Sequence, residues 1–403
     1  MTATSTTPTI LTQTLVLLMA TATGIAVAGN YYAQPLLHTI AAEFGLTQAS
    51  AGAIVTTAQL SYGLGLILLV PLADILERRR LIFIMLMLAS IGLIISGFAP
   101  SLPWLLFGTA LTGLSSVVAQ VLVPFAATLA APEQRGRVIG ILMGGLLLGI
   151  LLARVVAGGL STLVNWRFVY WMAALAMFIV AIAMTRALPR YRADSLMSYK
   201  QLLISVVALF VEEPILRHRA LLGLISFSLF SMLWTPLSFL LSKPPYEYSD
   251  AVIGLFGLAG AAGVIAASWA GRFADAGKGK LGTRLGLLAL LLSWIPLYFG
   301  QVSLIALFAG VLLLDLAVQL VHVSNQNVIY ALRSEIRNRL NAGYMTCYFI
   351  GGAFGSWLSV NLFQHFGWTG VCIGAAILAG FGIIIGQFGG TSAKTPEQQY
   401  EAS

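Results

Sequence analysis

Asp315, Gln319, His322 and Gln326 follow one another at steps of 4, 3 and 4 residues in an otherwise apolar stretch. That spacing puts them on one face of a helix, with Asn325 beside them. A carboxylate and an imidazole in one apolar run suit proton transfer: Asp315 takes up and releases a proton, and His322, with an ordinary pKa near 6.5, can share it. Alone, His322 reads as a hydrogen-bonded core histidine; in line with an Asp and two amides it reads as part of a proton path. The other deep charge is Arg154. An arginine inside a membrane helix costs about 2.5 to 3.5 kcal/mol, so it either snorkels to the outer surface, neutralises Asp315, or holds an anionic or polyhydroxyl substrate. The depths expected for Arg154 and Asp315 differ by about six residues, or roughly 9 Å, which suggests a state-dependent pair rather than a permanent one.

Two further stretches carry polar stripes. Asn30 and Gln34 share a face with Thr23 and are flanked by Tyr31 and Tyr32, while Thr109, Ser116 and Gln120 recur at steps of 7 and 4. Each residue alone would be explained by a contact between helices. Together they read as the wall of a wet cavity, because an amide side chain has no good solution in lipid.

Other chemistries are missing. The chain has no Walker loop and hence no ATP drive of its own, and no HExxH, CxxC or GxSxG pattern. Its four histidines lie in distant segments, and only His322 is near a carboxylate. An intramembrane enzyme would need a catalytic constellation that is not there, so the chain is read as a non-enzyme needing no cofactor and no metal. Cys347 and Cys372 both fall in apolar stretches and carry no redox signature.

The elements that must position these residues follow from composition. Apolar residues make up 59% of the 403 and charged residues 9%, with a mean hydropathy of +0.91; a soluble domain is about one-quarter charged. The chain is therefore all-α and polytopic, with the bilayer as its first partner. Twelve spans are expected, near 11–38, 49–72, 81–98, 104–131, 138–163, 168–184, 220–241, 251–271, 285–300, 303–332, 341–363 and 368–388. Each has about the length that crosses a bilayer core, and the alternation of a membrane barrel is absent. An amphipathic helix over 198–212 should lie on the membrane surface. No Lys or Arg precedes Arg78, so the first apolar run is read as a span rather than a cleaved leader.

The chain also repeats itself. Asp74, followed by Arg78, Arg79 and Arg80, has its counterpart 201 residues later in Gly271, Arg272, Asp275, Lys278 and Lys280; Pro35-Leu36 recurs as Pro236-Leu237, and Asn165-Trp166 as Gly367-Trp368. This divides the chain into a six-helix half over 1–187, a linker over 188–219, a second six-helix half over 220–390 and a polar tail over 391–403. With both termini inside, 19 of the 22 Lys and Arg residues fall in inner loops and the tail, as the positive-inside rule requires. The net charge of +8 thus reports orientation in an inner membrane, and no nucleic-acid motif accompanies it.

The two six-span repeats, the basic linker and the Asp-and-basic motif after the second and eighth spans resemble the major facilitator superfamily over the whole chain. The second copy keeps Gly271, Arg272, Asp275, Gly277 and Lys280; the first keeps Asp74, Arg78 and Arg79 but has Val70, Ile75 and Glu77 at other motif positions. Asn30 to Leu37 and Arg154 resemble a bacterial efflux-permease subgroup. The resemblance implies alternating access about a central site lined by spans one, four, seven and ten, with spans two, five, eight and eleven between the halves. It implies that Asp74, Arg78, Arg79, Gly271, Arg272, Asp275 and Lys280 form a cytoplasmic gate, in which Asp74 meets the inner end of span eleven when the inside is closed. In span five, Ala153-Arg154 stands where proton-driven drug antiporters carry Gly-Pro, and in span four Thr109 takes the place of their Arg. The expected function is proton-coupled efflux of a small organic molecule by a monomer, with proton-linked or facilitated uptake as the alternative; a non-transporting protein of the same fold is a third reading.

Overall fold

Every regular element in the structure, a computed structural model that describes residues 11–192, 197–261, 279–333 and 336–388, is a helix. In chain order these are α1 (Gln13–Ala28), α2 (Ala33–Phe44), α3 (Gln48–Leu68), α4 (Arg78–Gly97), α5 (Leu102–Ser115), α6 (Val118–Leu129), α7 (Arg135–Leu163) and α8 (Trp166–Ala187). They continue with α9 (Tyr199–Glu212), α10 (Pro214–Trp234), α11 (Leu237–Leu241), α12 (Asp250–Leu255), α13 (Gly279–Leu292), α14 (Trp294–Phe299), α15 (Leu304–Leu332) and α16 (Arg337–Phe388). Helix starts are capped by side chains: Thr47, Asn165 and Ser303 each accept a hydrogen bond from the first turn. Ser198 and Gln201 close a capping box at the start of α9, the helix expected over 198–212.

Ten stretches among the described residues are long and apolar enough to cross a membrane. The difference from twelve has two sources. The eighth span is described only through α12 and a following 3-10 turn to Gly260, and the eleventh and twelfth run on as α16 through a break at Gly367. There φ is +64°, a conformation open to glycine without a Cβ penalty. Span one reaches Phe44 rather than 38, because α2 resumes after the break at Gly29–Tyr32. Span seven starts at Pro214, six residues before the expected 220, since proline is pre-set for the first helical turn. Arg219, expected in an inner loop, is therefore part of α10 and is buried.

Glycines set how closely the helices approach. A Cβ at Gly145 or Gly149 would strike the α1 backbone at Ala20 and Gly24, and one at Gly351 or Gly355 would strike α10 at Leu224 and Ser228. Spans five and one thus pack as spans eleven and seven do, the same contact in each half. Between the halves, Gly158 of α7 lies on the Asp250 backbone, Gly254 on the Arg154 carbonyl and Gly257 on the Arg154 side chain. Gly140, Gly144 and Gly159 have nothing within 4 Å of an added Cβ among the described residues.

Candidate functional site: the buried centre between the helices

Three of the spans expected to line the centre are broken there. Span one breaks at Gly29–Tyr32, span four between Ser115 and Val118, and span seven at Thr235-Pro236. Such breaks are tolerated in a membrane only where they face protein or a cavity. They aim Asn30 and Tyr31 from the first break, Gln34 from the first turn of α2, and Trp234 from the last residue of α10.

Arg154 is 2% exposed and does not reach the outer surface. Its Nε donates to Gln34 Oε1 at 2.7 Å. The guanidinium lies over the ring of Trp234 at 3.9 Å, with Tyr31 at 5.0 Å and Phe230 at 5.6 Å, so three aromatic faces offset part of its desolvation. Asp315, 4% exposed, accepts a hydrogen bond from Trp234 Nε1 at 3.1 Å. The indole therefore carries the cation on its face and the carboxylate at its edge. Arg154 and Asp315 attract each other without forming a salt bridge.

Buried polar atoms without a protein partner occur at the breaks and elsewhere in the bundle, Ser96, Ser115 and Trp294 among them. Arg154 Nη2, Gln34 Nε2, both amide atoms of Asn30 and of Gln59, and the hydroxyls of Ser231 and Thr235 are all in this class. Each costs on the order of 1–3 kcal/mol if left unmet.

The remaining expected residues divide. Gln120 sits beside the Tyr62 hydroxyl, and Tyr62 stacks on Phe349 of α16 at 4.1 Å. Thr109 and Gln319 are half-buried. The Ser116 hydroxyl is satisfied by the Thr112 carbonyl in its own turn, which is the helix-contact explanation. His322 pairs through Nδ1 with the Tyr344 hydroxyl at 3.0 Å and its ring lies 4.5 Å from Tyr348; no hydrogen bond joins it to Asp315. Gln326 turns to Tyr330 and Asn341, away from the Arg154 cluster.

Sequence reasoning missed the aromatic members. Rings run from His322 through Tyr348, Phe227 and Phe230 to Trp234, with neighbouring centroids 4.1 to 6.0 Å apart. A search for amides and charges passes over span seven, which contributes Phe227, Phe230 and Trp234. The available signal was a Trp immediately before Thr235-Pro236, at the proline that the repeat aligns with Pro35.

The two ends of the bundle differ. At the end away from the basic residues, Thr39 Oγ1 donates to Asp250 within 2.8 Å of both carboxylate oxygens, and Ser161 Oγ donates to Oδ2 at 2.7 Å. Glu43 accepts from Trp166 and Arg167 beside them. Ala49 N–H donates to Gln364 Oε1, and Thr56 bonds Ser356. These bonds tie α2, α3 and α7 to α12 and α16 and close that end.

At the basic end Asp74 pairs, among the described residues, with its own neighbour Arg78, Nη2 at 3.8 Å, and feels the attraction of Arg339 from α16 without an ion pair. Arg78 is buried between Phe125 and Tyr191 and donates to the Ala73 carbonyl. Arg79 donates to the Leu188 carbonyl. Lys280 lies at the start of α13, and Gly271, Arg272 and Asp275 lie outside the described residues.

A chain of broken apolar helices, with buried charges at the breaks and one end latched, is a membrane transporter in its architecture. The Major Facilitator Superfamily model matches residues 19–332, and the chain belongs to that family. It is 56% identical over 369 residues to the Escherichia coli O157:H7 protein "Uncharacterized transporter YgaY", covering 92% of this chain and 94% of that one. Its fold is similar to that of a bacterial homolog of the human lysosomal transporter Spinster in an inward-facing, occupied conformation, with a TM-score of 0.75 at 15% identity over 93% of this chain and 95% of that one. A peptide transporter in complex with alafosfalin gives a TM-score of 0.73 at 16% identity, over 93% of this chain and 94% of that one. The protein is a multi-pass membrane transporter and not an enzyme.

Proposed function

We propose that the protein is a proton-coupled antiporter that exports a small polar organic molecule by alternating access, from a site centred on Arg154, Trp234 and Asp315. The observation that carries this reading is the placement of a buried cation and a buried carboxylate on the two sides of one indole, among polar atoms with no protein partner. A solute offering an acceptor to Arg154 Nη2 and a donor to Asp315 would satisfy both; zwitterions and polyhydroxyl compounds have that character. Such a donor is held more tightly by the ionised carboxylate than by the protonated one, so a proton on Asp315 and the solute compete. Competition for one group is what exchange requires.

Residues 1–187 and 220–390 act as the two halves, joined by 188–219, and the chain works as a monomer in the inner membrane with both termini cytoplasmic. The positive-inside rule supports this orientation. The Thr39–Asp250–Ser161 latch then holds the outer side shut, and Asp74, paired with Arg78 and not with Arg339 of α16, leaves the inner side unlatched, an inward-facing state. In the opposite state Asp74 closes on the basic end of α16. His322, bonded to Tyr344 and half-buried, receives the proton on the inner side of Asp315.

The test is substrate-dependent collapse of a pH gradient in everted vesicles that are acid inside, run with sugars, amino acids, carboxylates and lipophilic cations. Asp315→Asn should abolish the response. A compound carried at full rate with no proton movement would replace exchange by facilitated uptake.

A further inference from the structure

At the basic end of the second half, α10, α13 and the last turn of α16 enclose a notch separate from the Arg154–Asp315 site. It is lined by His218, Arg219, Lys280, Thr283 and Arg284. Arg219 is 7% exposed, and its Nη1 donates to Thr283 Oγ1 at 3.0 Å and to Asn325 Oδ1 at 3.2 Å, which fixes the guanidinium in the wall. His218 Nε2 donates to the Ile385 carbonyl at 3.0 Å, so that its ring too is held in place. No carboxylate is among the described lining residues.

The notch opens, across Arg284 and Gly386, into a cleft of about 450 Å³ whose other walls are Leu287, Leu288 and Ile383. Leu288 is 47% exposed, and the neighbouring Leu285, Phe381 and Ile384 also face outward, where the bilayer lies. A cationic notch at a helix end thus continues into an apolar groove running toward the membrane core. We infer that this is a binding site for an anionic phospholipid, with the phosphate in the notch and an acyl chain in the groove. Basic pockets between helices suit such headgroups. A free phosphate would leave the groove unused, and a choline or ethanolamine headgroup would bring a cation up to Arg219, Lys280 and Arg284.

The experiment uses the full chain, purified in a neutral detergent. Native mass spectrometry would measure binding of palmitoyl-oleoyl phosphatidylglycerol, the matching phosphatidylcholine and inorganic phosphate. The unmodified protein should bind phosphatidylglycerol at least about ten-fold more tightly than phosphatidylcholine, and millimolar phosphate should not displace it. Each surface cation near an anionic lipid is worth about five-fold in affinity. Lys280→Gln with Arg284→Gln, both at exposed positions, should therefore bring phosphatidylglycerol down toward the phosphatidylcholine level. Equal binding of the two lipids by the unmodified protein would overturn the assignment. So would an unchanged preference in the double variant, or displacement by phosphate, which would leave an anion site without a lipid.

Discussion

Arg154 and Asp315, the deep cation and the deep carboxylate, are joined through Trp234 and not by a salt bridge: the guanidinium sits 3.9 Å from the indole centroid, and the indole N–H donates to the carboxylate at 3.1 Å. A direct buried pair would hold both charges against release, since separating one costs several kcal/mol. An intervening indole keeps each charge solvated by protein without joining the two.

Trp234→Phe keeps the ring beneath Arg154 but removes the donor to Asp315. A hydrogen bond to a charged group contributes about 1.5–3 kcal/mol, so proton-driven flux should fall about ten-fold or more. Substrate binding to de-energised protein should change less. Trp234→Ala should lose both, and parallel flux and binding assays on the two variants separate the roles.

Thr39 and Asp250 tie α2 to α12 at the end of the bundle away from the basic residues. In a background lacking Cys347 and Cys372, Thr39→Cys with Asp250→Cys should form a cross-link that stops transport and is reversed by reductant. Cross-linked protein that still transports at the uncross-linked rate would show that this end does not open.

How much of this was legible in the sequence depended on what carried the signal. Twelve apolar runs, the cap residues and the 201-residue repeat report free energies written locally, so spans and repeats could be read directly. Asp315 and Arg154 stood out because a charge in an apolar run has few explanations. Their link did not, because Trp234 is an ordinary apolar residue until the break at Thr235-Pro236 turns it inward. The Asp250 latch was equally hidden: Thr39, Ser161 and Asp250 sit at ends of apolar runs, where polar residues need no reason, and only the packing of α2, α7 and α12 brings them together. Arg219 looked like one more loop cation because the start of α10 was placed too late.

Gly158 has the Asp250 backbone against it, whereas Gly140 on the same helix has open space. Gly158→Val should therefore cost about 1–3 kcal/mol by overpacking, or spring the outer end open, seen as faster labelling of a cysteine placed at Thr39. Gly140→Val should do neither.

Arg219→Met leaves Thr283 and Asn325 without their donor in a buried wall. Unmet groups of this kind cost about 1–3 kcal/mol, so thermal unfolding in detergent should shift down clearly. Arg217→Ala, at an exposed position of the same turn, should leave the midpoint unchanged.

The most direct test of the central claim is the pH gradient of everted vesicles, acid inside, bearing the unmodified protein or Asp315→Asn in equal amounts. The account predicts that one zwitterionic or polyhydroxyl compound collapses the gradient with the unmodified protein, and that Asp315→Asn binds the compound more weakly and moves no protons. Equal proton movement by the two proteins would contradict a proton-carrying role for Asp315.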